Sequence, residues 1–244
     1  TAYNFVFKRT WDNWRMKLIQ SNLHDHIVIA GFGTSGSEAV QELLARGTKP
    51  EEIVVIDTSD DALSLAEKLG CAVINGDATR DNALMNVKIS RARSLIVSAG
   101  RDDTSILIVL TARHLAYHLP ISVSIKAADN ELLARQAGAT TVINPVSFAG
   151  LLLAGSCEGA KISDYLSDLA SATGRVKLVQ RSVTEDEVGM AMSEVVGTGL
   201  GVRIYRGDAV FGFWEPEAKQ LEAGDIIVEI IPGNGAETPE KEDA

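Results

Sequence analysis

The chain has 244 residues, room for one large or two small domains, and its apolar share of 45% and charged share of 23% are ordinary globular values. A net charge of −10 excludes a duplex nucleic-acid binder, which needs a basic face, and no apolar run approaches the ~18 residues that span a membrane. Cys71 and Cys157 form neither a disulfide framework nor a C-x-x-C pair, so both are expected to be buried small hydrophobes in a reducing cytosol.

Residues 1–25 stand apart from the rest. Phe5, Phe7, Trp11 and Trp14 alternate with Lys8, Arg9, Arg15 and Lys17, and Asp12 is the one acid in the first 20 positions. Aromatics beside cations suit a membrane-interface or linker segment; a helix packed on its own domain is the alternative. The chain opens on Thr1 rather than Met, as a fragment or a processed product would, and has no signal-peptide pattern.

From His26 the pattern changes. Ile27 to Ala30 is an apolar run that predicts a strand buried on both faces. Gly31, Gly33 and Gly36 follow in G-x-G-x-x-G spacing, with Phe32, Thr34 and Ser35 between them. A helix is expected from about Ser37 to Arg46, stopped by Gly47. A second apolar run, Ile53 to Ile56, ends in Asp57, 21 residues after Gly36 and close to the ~20 of a dinucleotide-binding unit. In such a Rossmann unit Gly31 makes the tight turn, Gly33 lets the backbone approach a pyrophosphate, and Gly36 lets helix and strand pack closely. The helix N-terminus offers free N–H groups to phosphate. Asp57 accepts from ribose hydroxyls and repels a 2′-phosphate. A Rossmann unit with a vestigial pocket carries the same motif.

Further along, Ser59 or Asp60 caps a helix that Gly70 stops, and Ala72 to Ile74 is a third strand. A short helix through about Val87 follows Asn75-Gly76-Asp77-Ala78-Thr79. Ser94 to Ser98 is the fourth strand, and a long helix from Asp102 to about His118 is closed by Pro120. A strand over 122–126, a helix over 130–136 and a strand over 141–143 complete an α/β, doubly wound parallel sheet. Ligands of such sheets sit at the carboxyl ends of the strands. Here those ends carry Asp57 and Thr58; Asp77, Ala78 and Thr79; Ala99, Gly100 and Arg101; and Lys126. Each is equally a loop or helix cap in a structural reading, and Asp102 suits the N-cap of the long helix.

Pro145 to Gly159 is apolar nearly all round, so the helix it predicts must be buried, with a partner subunit as one place to bury it. A second helix, over 162–170, is capped near Ser163. Strands over 176–180, 201–205, 209–214 and 225–231 then make a smaller α+β lobe. A helix from about Glu185 to Val195 interrupts them, with Thr184 and Glu187 as its capping box. Residues 234–244 are acidic and poor in apolar side chains, as a disordered tail is. His114 and His118 have zinc-ligand spacing but no third ligand, and suit a helix C-terminus as cations instead. No G-x-S-x-G, Walker lysine or general acid–base pair is found. That argues against a dehydrogenase, although an NAD-dependent oxidoreductase is the alternative from another class.

Taken together, the sequence resembles an RCK domain (regulator of conductance of potassium), the Trk-type nucleotide-binding module. The likeness runs over about residues 26–233. It is carried by His26 to Gly33, Asn75 to Thr79, Ala92-Arg93-Ser94, Asp102-Asp103, Ala112-Arg113, Ala137-Gly138-Ala139, Val142 to Pro145 and Leu221 to Asp225. The resemblance implies a Rossmann lobe over 26–145, a helix-turn-helix dimerisation crossover over 146–174 and a ligand-sensing C-lobe over 175–233. Residues 1–25 would be a linker from a pore. It implies a regulatory role, not an enzyme: a homodimer through 146–170, an octameric gating ring, and a potassium channel pore upstream or a separate Trk-type uptake transporter. The place is the cytoplasmic face of the membrane. NAD, ADP, ATP or AMP are the implied ligands. Calcium is disfavoured, because Gly100 stands where calcium-gated members carry a carboxylate.

Overall fold

A computed structural model describes residues 23–157 and 159–233. The aromatic-basic segment before Leu23 and the acidic tail over 234–244 lie outside the described residues. The chain divides into two compact units at Leu151 and Leu152.

The first unit alternates strand and helix: β1 (Ile27–Ala30), α1 (Thr34–Ala45), β2 (Ile53–Asp57), α2 (Asp60–Lys68), β3 (Ala72–Asn75), α3 (Asp81–Asn86), β4 (Ser94–Val97), α4 (Asp102–Leu115), β5 (Ile121–Ser124), α5 (Ala128–Gln136) and β6 (Thr141–Ile143). All strand pairs are parallel, in the order β3-β2-β1-β4-β5-β6. The reversal of winding between β1 and β4 is the switch point of a Rossmann-like sheet, and it opens the crevice where ligands sit. Every residue of β1 is buried, as is every apolar residue of β2. That explains their uninterrupted β-branched runs: side chains alternate between two faces and both faces are covered. One face packs Val28, Val54, Leu95 and Ile121 with Val109 and Ala112 of α4; the other packs Ile29, Ile53 and Val55 with Val40 of α1 and Leu63 of α2. Each such side chain contributes about 1.5–3 kcal/mol.

Helix α6 (Pro145–Ser156) leads into the second unit, where α7 (Ala160–Ala170) follows. There β7 (Val176–Ser182), β8 (Leu200–Arg206), β9 (Ala209–Gly212) and β10 (Ile226–Pro232) form an antiparallel sheet, ordered β7-β10-β8-β9. Its core is small: Ile204, Ile227, Leu221, Ala218 and Met192, the last from the short helix α8 (Met192–Val195).

Several expectations are corrected. No continuous helix runs from Glu185 to Val195. The Thr184–Glu187 capping box forms, but a single 3₁₀ turn follows it. The chain then leaves the helical ladder at Gly189, whose φ is +88°, to pair with the segment before β10: the Gly189 N–H donates to Leu221 O and the Leu221 N–H to Met190 O. Helix α7 has Gly159 as its N-cap, with no side-chain cap, and Ser163 Oγ donates to Leu152 O instead. Asp102 is not an N-cap; that place falls to Arg101. His118 lies beyond the end of α4, so it shares no helix face with His114. Cys71 is buried, and burial pushes its thiol up to about 11. Cys157 is exposed rather than buried. Within the single chain α6 is also exposed, with Leu151 at 72% and Leu153 at 70%. The inference from its apolar pattern that it must be buried is not met in a lone subunit.

Candidate functional site

The glycine turn is built by contacts that a side chain would break. Gly31 has φ of +96°, its N–H donates to Ile56 O, and a Cβ there would lie 2.5 Å from Ser98 O. A Cβ on Gly36 would lie 2.1 Å from Gly31 O, so only glycine lets α1 approach β1 this closely. Gly33 differs: nothing lies within 4 Å of where its Cβ would be. It is the N-cap of α1 with no side-chain hydrogen bond, and the first turn of α1 holds no acid. Helices α2, α3, α4 and α5 all begin with Asp or Glu in the first turn. Those carboxylates offset the positive dipole end of their helices; at α1 it stays open to an incoming anion.

Asp57 closes the other rim. Its Oδ2 accepts from Phe32 N–H at 2.7 Å and its Oδ1 from Ser59 N–H at 2.8 Å. The carboxylate thus ties the glycine turn to the end of β2. A carboxylate has about four acceptor positions, so two remain for further donors. Phe32 itself is buried in the core beside β1 and β2 and serves the turn through its backbone.

A crevice of about 210 Å³ gathers Gly31, Asp57, Thr58, Asp77, Ala78, Ala99 and Gly100 from the sequence-derived set. Ile56, Gly76, Ser98, Thr104 and Ile108 also line it and were missed. Gly76 had a visible signal, a glycine directly after β3; its N–H donates to Asp57 O. Thr104 and Ile108 had none, because only the packing of α4 turns that face inward. Gly33, Thr34 and Ser35 sit exposed at the start of α1, and Thr79 does not line the crevice. The Thr79 hydroxyl and N–H both donate to Asp77 Oδ1, which holds the Asp77 carboxyl below the usual range.

Arg101 and Lys126 belong to a neighbouring cavity of about 390 Å³ that shares Gly100. Both are engaged within the chain. Arg101 forms a two-point pair with Asp103, whose carboxyl is pulled down to about 2, and Lys126 Nζ donates to Gly100 O. Asp102 accepts from the N–H groups of Lys126 and Ala127 and from Asn130 Nδ2. Burial opposes its ionisation, but these donors outweigh burial and hold its carboxyl low. It therefore anchors the β5–α5 turn against the start of α4.

Sheet order, glycine turn, open helix N-terminus and the carboxylate ending β2 together define a Rossmann-like module of the dinucleotide-fold class. Residues 27–145 match the family model of the TrkA-N domain, and this segment is a TrkA-N domain, in line with the Trk-type resemblance of its sequence. Among curated relatives, the chain is 29% identical over 160 residues to the probable potassium channel protein 2 of Methanocaldococcus jannaschii, covering 63% of this chain and 45% of that protein. It is 31% identical over 112 residues to the glutathione-regulated potassium-efflux system protein KefC of Escherichia coli O157:H7, covering 46% of this chain and 18% of that one. The chain thus spans less than half the length of either. The human SLO3 gating ring shares the fold, with a TM-score of 0.62 at 17% identity, covering 84% of this chain and 44% of that one. Among the described residues no helix is long and apolar enough to cross a membrane.

Proposed function

We propose that this chain is the regulatory, non-enzymatic module of a potassium channel, and that it senses an adenine nucleotide without a 2′-phosphate in the crevice at Gly31, Asp57 and Asp77. NAD or ADP fits this description, with ATP and AMP as further candidates. The carrying observation is the open, acid-free N-terminus of α1, reached from the glycine turn whose Phe32 N–H donates to the Asp57 carboxylate. The first favours a pyrophosphate; the second favours free ribose hydroxyls and opposes a 2′-phosphate. Gly100 rather than a carboxylate at the end of β4 leaves calcium without a third carboxylate beside Asp57 and Asp77. The potassium channel relative supports the setting; the efflux-protein relative supports a second reading, in which the module serves a potassium transporter instead.

In either setting the module works at the cytoplasmic face and assembles with copies of itself, through residues 146–170, into a ring of eight. The exposed apolar helix α6 supports this assembly. A ligand biases such a ring only by its difference in affinity for two ring states. Isothermal titration with NAD, ADP and NADP tests the crevice. NAD or ADP is expected to bind, with NADP at least ~10-fold weaker, because a like charge beside Asp57 costs several kcal/mol. Asp57→Asn is expected to narrow that ratio. Equal affinities for NAD and NADP would overturn the role of Asp57, and silence from every nucleotide would overturn the site. Turnover of the nicotinamide absorbance with any substrate would favour an oxidoreductase.

A further inference from the structure

Away from the crevice, at the opposite end of β1, His26 is 2% exposed. Its Nε2 lies 2.8 Å from Val87 O. A carbonyl only accepts, so Nε2 carries the proton and Nδ1 carries the lone pair. Nδ1 is buried without a hydrogen-bond partner among the described residues. Two backbone bonds flank this contact: the Asp25 N–H donates to Arg91 O and the Arg93 N–H to His26 O. Leu23, just before, is buried in the core beside Val87 and Ile89.

The backbone is strained at the same place. Among the described residues, Asp25 and Lys88, each with φ of +53°, are the non-glycine residues in the left-handed region. One directly precedes His26 and the other directly follows Val87. Such conformations cost about 1–3 kcal/mol each and persist where surrounding contacts hold them. The charged groups around the contact are His24 and Asp25 on the segment leading into β1, and Lys88, Arg91 and Arg93 on the turn between α3 and β4. Asp25 reaches Arg93 only at 3.9 Å. No carboxylate among these meets Nδ1.

We propose that His26 is an acid-sensitive latch, which in its neutral form clasps the segment Leu23 to Asp25 onto the Val87–Arg93 turn and on protonation lets it go. A proton on Nδ1 would place a buried N–H and a charge where no acceptor waits. Burial accordingly lowers the affinity of the folded imidazole for a proton, against the support of Val87 O. The sign follows directly. The released imidazole takes up a proton at its ordinary value of about 6.5 and the clasped one only at a lower pH. The clasp is therefore fully held above about 6.5 and weakens as pH falls below it, by up to ~10-fold in its opening equilibrium per pH unit. Relief of the left-handed backbone at Asp25 and Lys88 adds to the tendency to open. The latch is independent of any nucleotide at the crevice.

Amide exchange on the whole chain, followed by NMR between pH 7.5 and 5.5, tests this. After correction for intrinsic exchange, protection of the Asp25 and Arg93 amides is expected to fall steeply below about 6.5, while the amides of β2 and β5 hold theirs. His26→Gln retains a side-chain donor for Val87 O and cannot titrate, so it is expected to flatten that dependence; His24→Gln is expected to leave it unchanged. If His26→Gln does not fold, the ring of the unmodified protein gives the answer. Its carbon and nitrogen shifts are expected to show the Nε2–H form surviving below about 6.5, the ordinary imidazole value. An identical pH dependence in His26→Gln, or a His26 ring that titrates at about 6.5 with both amides still protected, would overturn the latch.

Discussion

Gly33→Asp is expected to remove nucleotide binding and leave the fold as stable as before, or slightly more stable. The position makes the two effects separable. Gly33 is the N-cap of α1, its φ of −77° is open to any residue, and nothing lies within 4 Å of an added Cβ. Asp is among the preferred N-cap residues and gains a few tenths of a kcal/mol over Gly there. The same carboxylate would take the first-turn N–H groups that a pyrophosphate needs, and add a like charge costing several kcal/mol. Affinity for NAD or ADP should fall at least ~100-fold, at 1.4 kcal/mol per decade, while the melting temperature holds or rises. Gly36→Ala should not separate the two. Its methyl would lie 2.1 Å from Gly31 O, so the turn must open and the fold weakens with the site. Calorimetric titration beside thermal melts decides both. Unchanged affinity in a folded Gly33→Asp protein would remove α1 from the site.

The contrast between those two glycines shows what can be read from the sequence. The spacing from Gly31 to Asp57 was legible because each constraint is local: a strand buried on both faces, a turn with no room for Cβ, and an acid ending the next strand. The doubly wound parallel sheet followed from the alternation of strand and helix, and the second α+β lobe from the change in period after residue 175; the order of the strands came only with the fold. Asp102 was not legible. An acid before a helix looks like a cap, and its real partners, the N–H groups of Lys126 and Ala127, lie a strand and a turn away. The same holds at Gly189, where pairing with Leu221 overrides a stretch that scores as helix. Arg101 and Lys126 looked like ligand contacts because sequence shows charge but not engagement, and both turn to partners in their own chain. The apolar pattern of α6 could say only that something covers it, not what.

The other large effect is expected in the second lobe, at Asp225. This carboxylate is fully buried, at 0% exposure. It accepts from Arg206 Nε and Nη2, each at 2.8 Å, and from Glu222 N–H at 2.9 Å. Arg206 also donates to Gln220 O, so one pair of charges joins the end of β8 to the turn that begins β10. Asp225→Ala would strand the guanidinium, a quarter exposed, beside an acid, Glu222, that is itself 60% exposed. Removing one partner of a buried pair costs about 3–5 kcal/mol, and the lobe's core, five buried apolar residues, has little to offset it. Exchange of the Val183 and Ile227 amides should then accelerate at least ~100-fold, while the amides of β1 and β4 keep their protection. The pH dependence has a definite sign. Arg206 holds the Asp225 carboxyl below the usual range against burial. The pair's contribution is therefore present above the ordinary Asp value of about 4 and is lost as pH falls through the lower folded value. Acidification should thus release the His26 clasp first, from about 6.5 downward, and loosen the second lobe only well below it. Exchange in β8 and β10 rising together with that of Asp25, at the same pH, would show that the two devices are one.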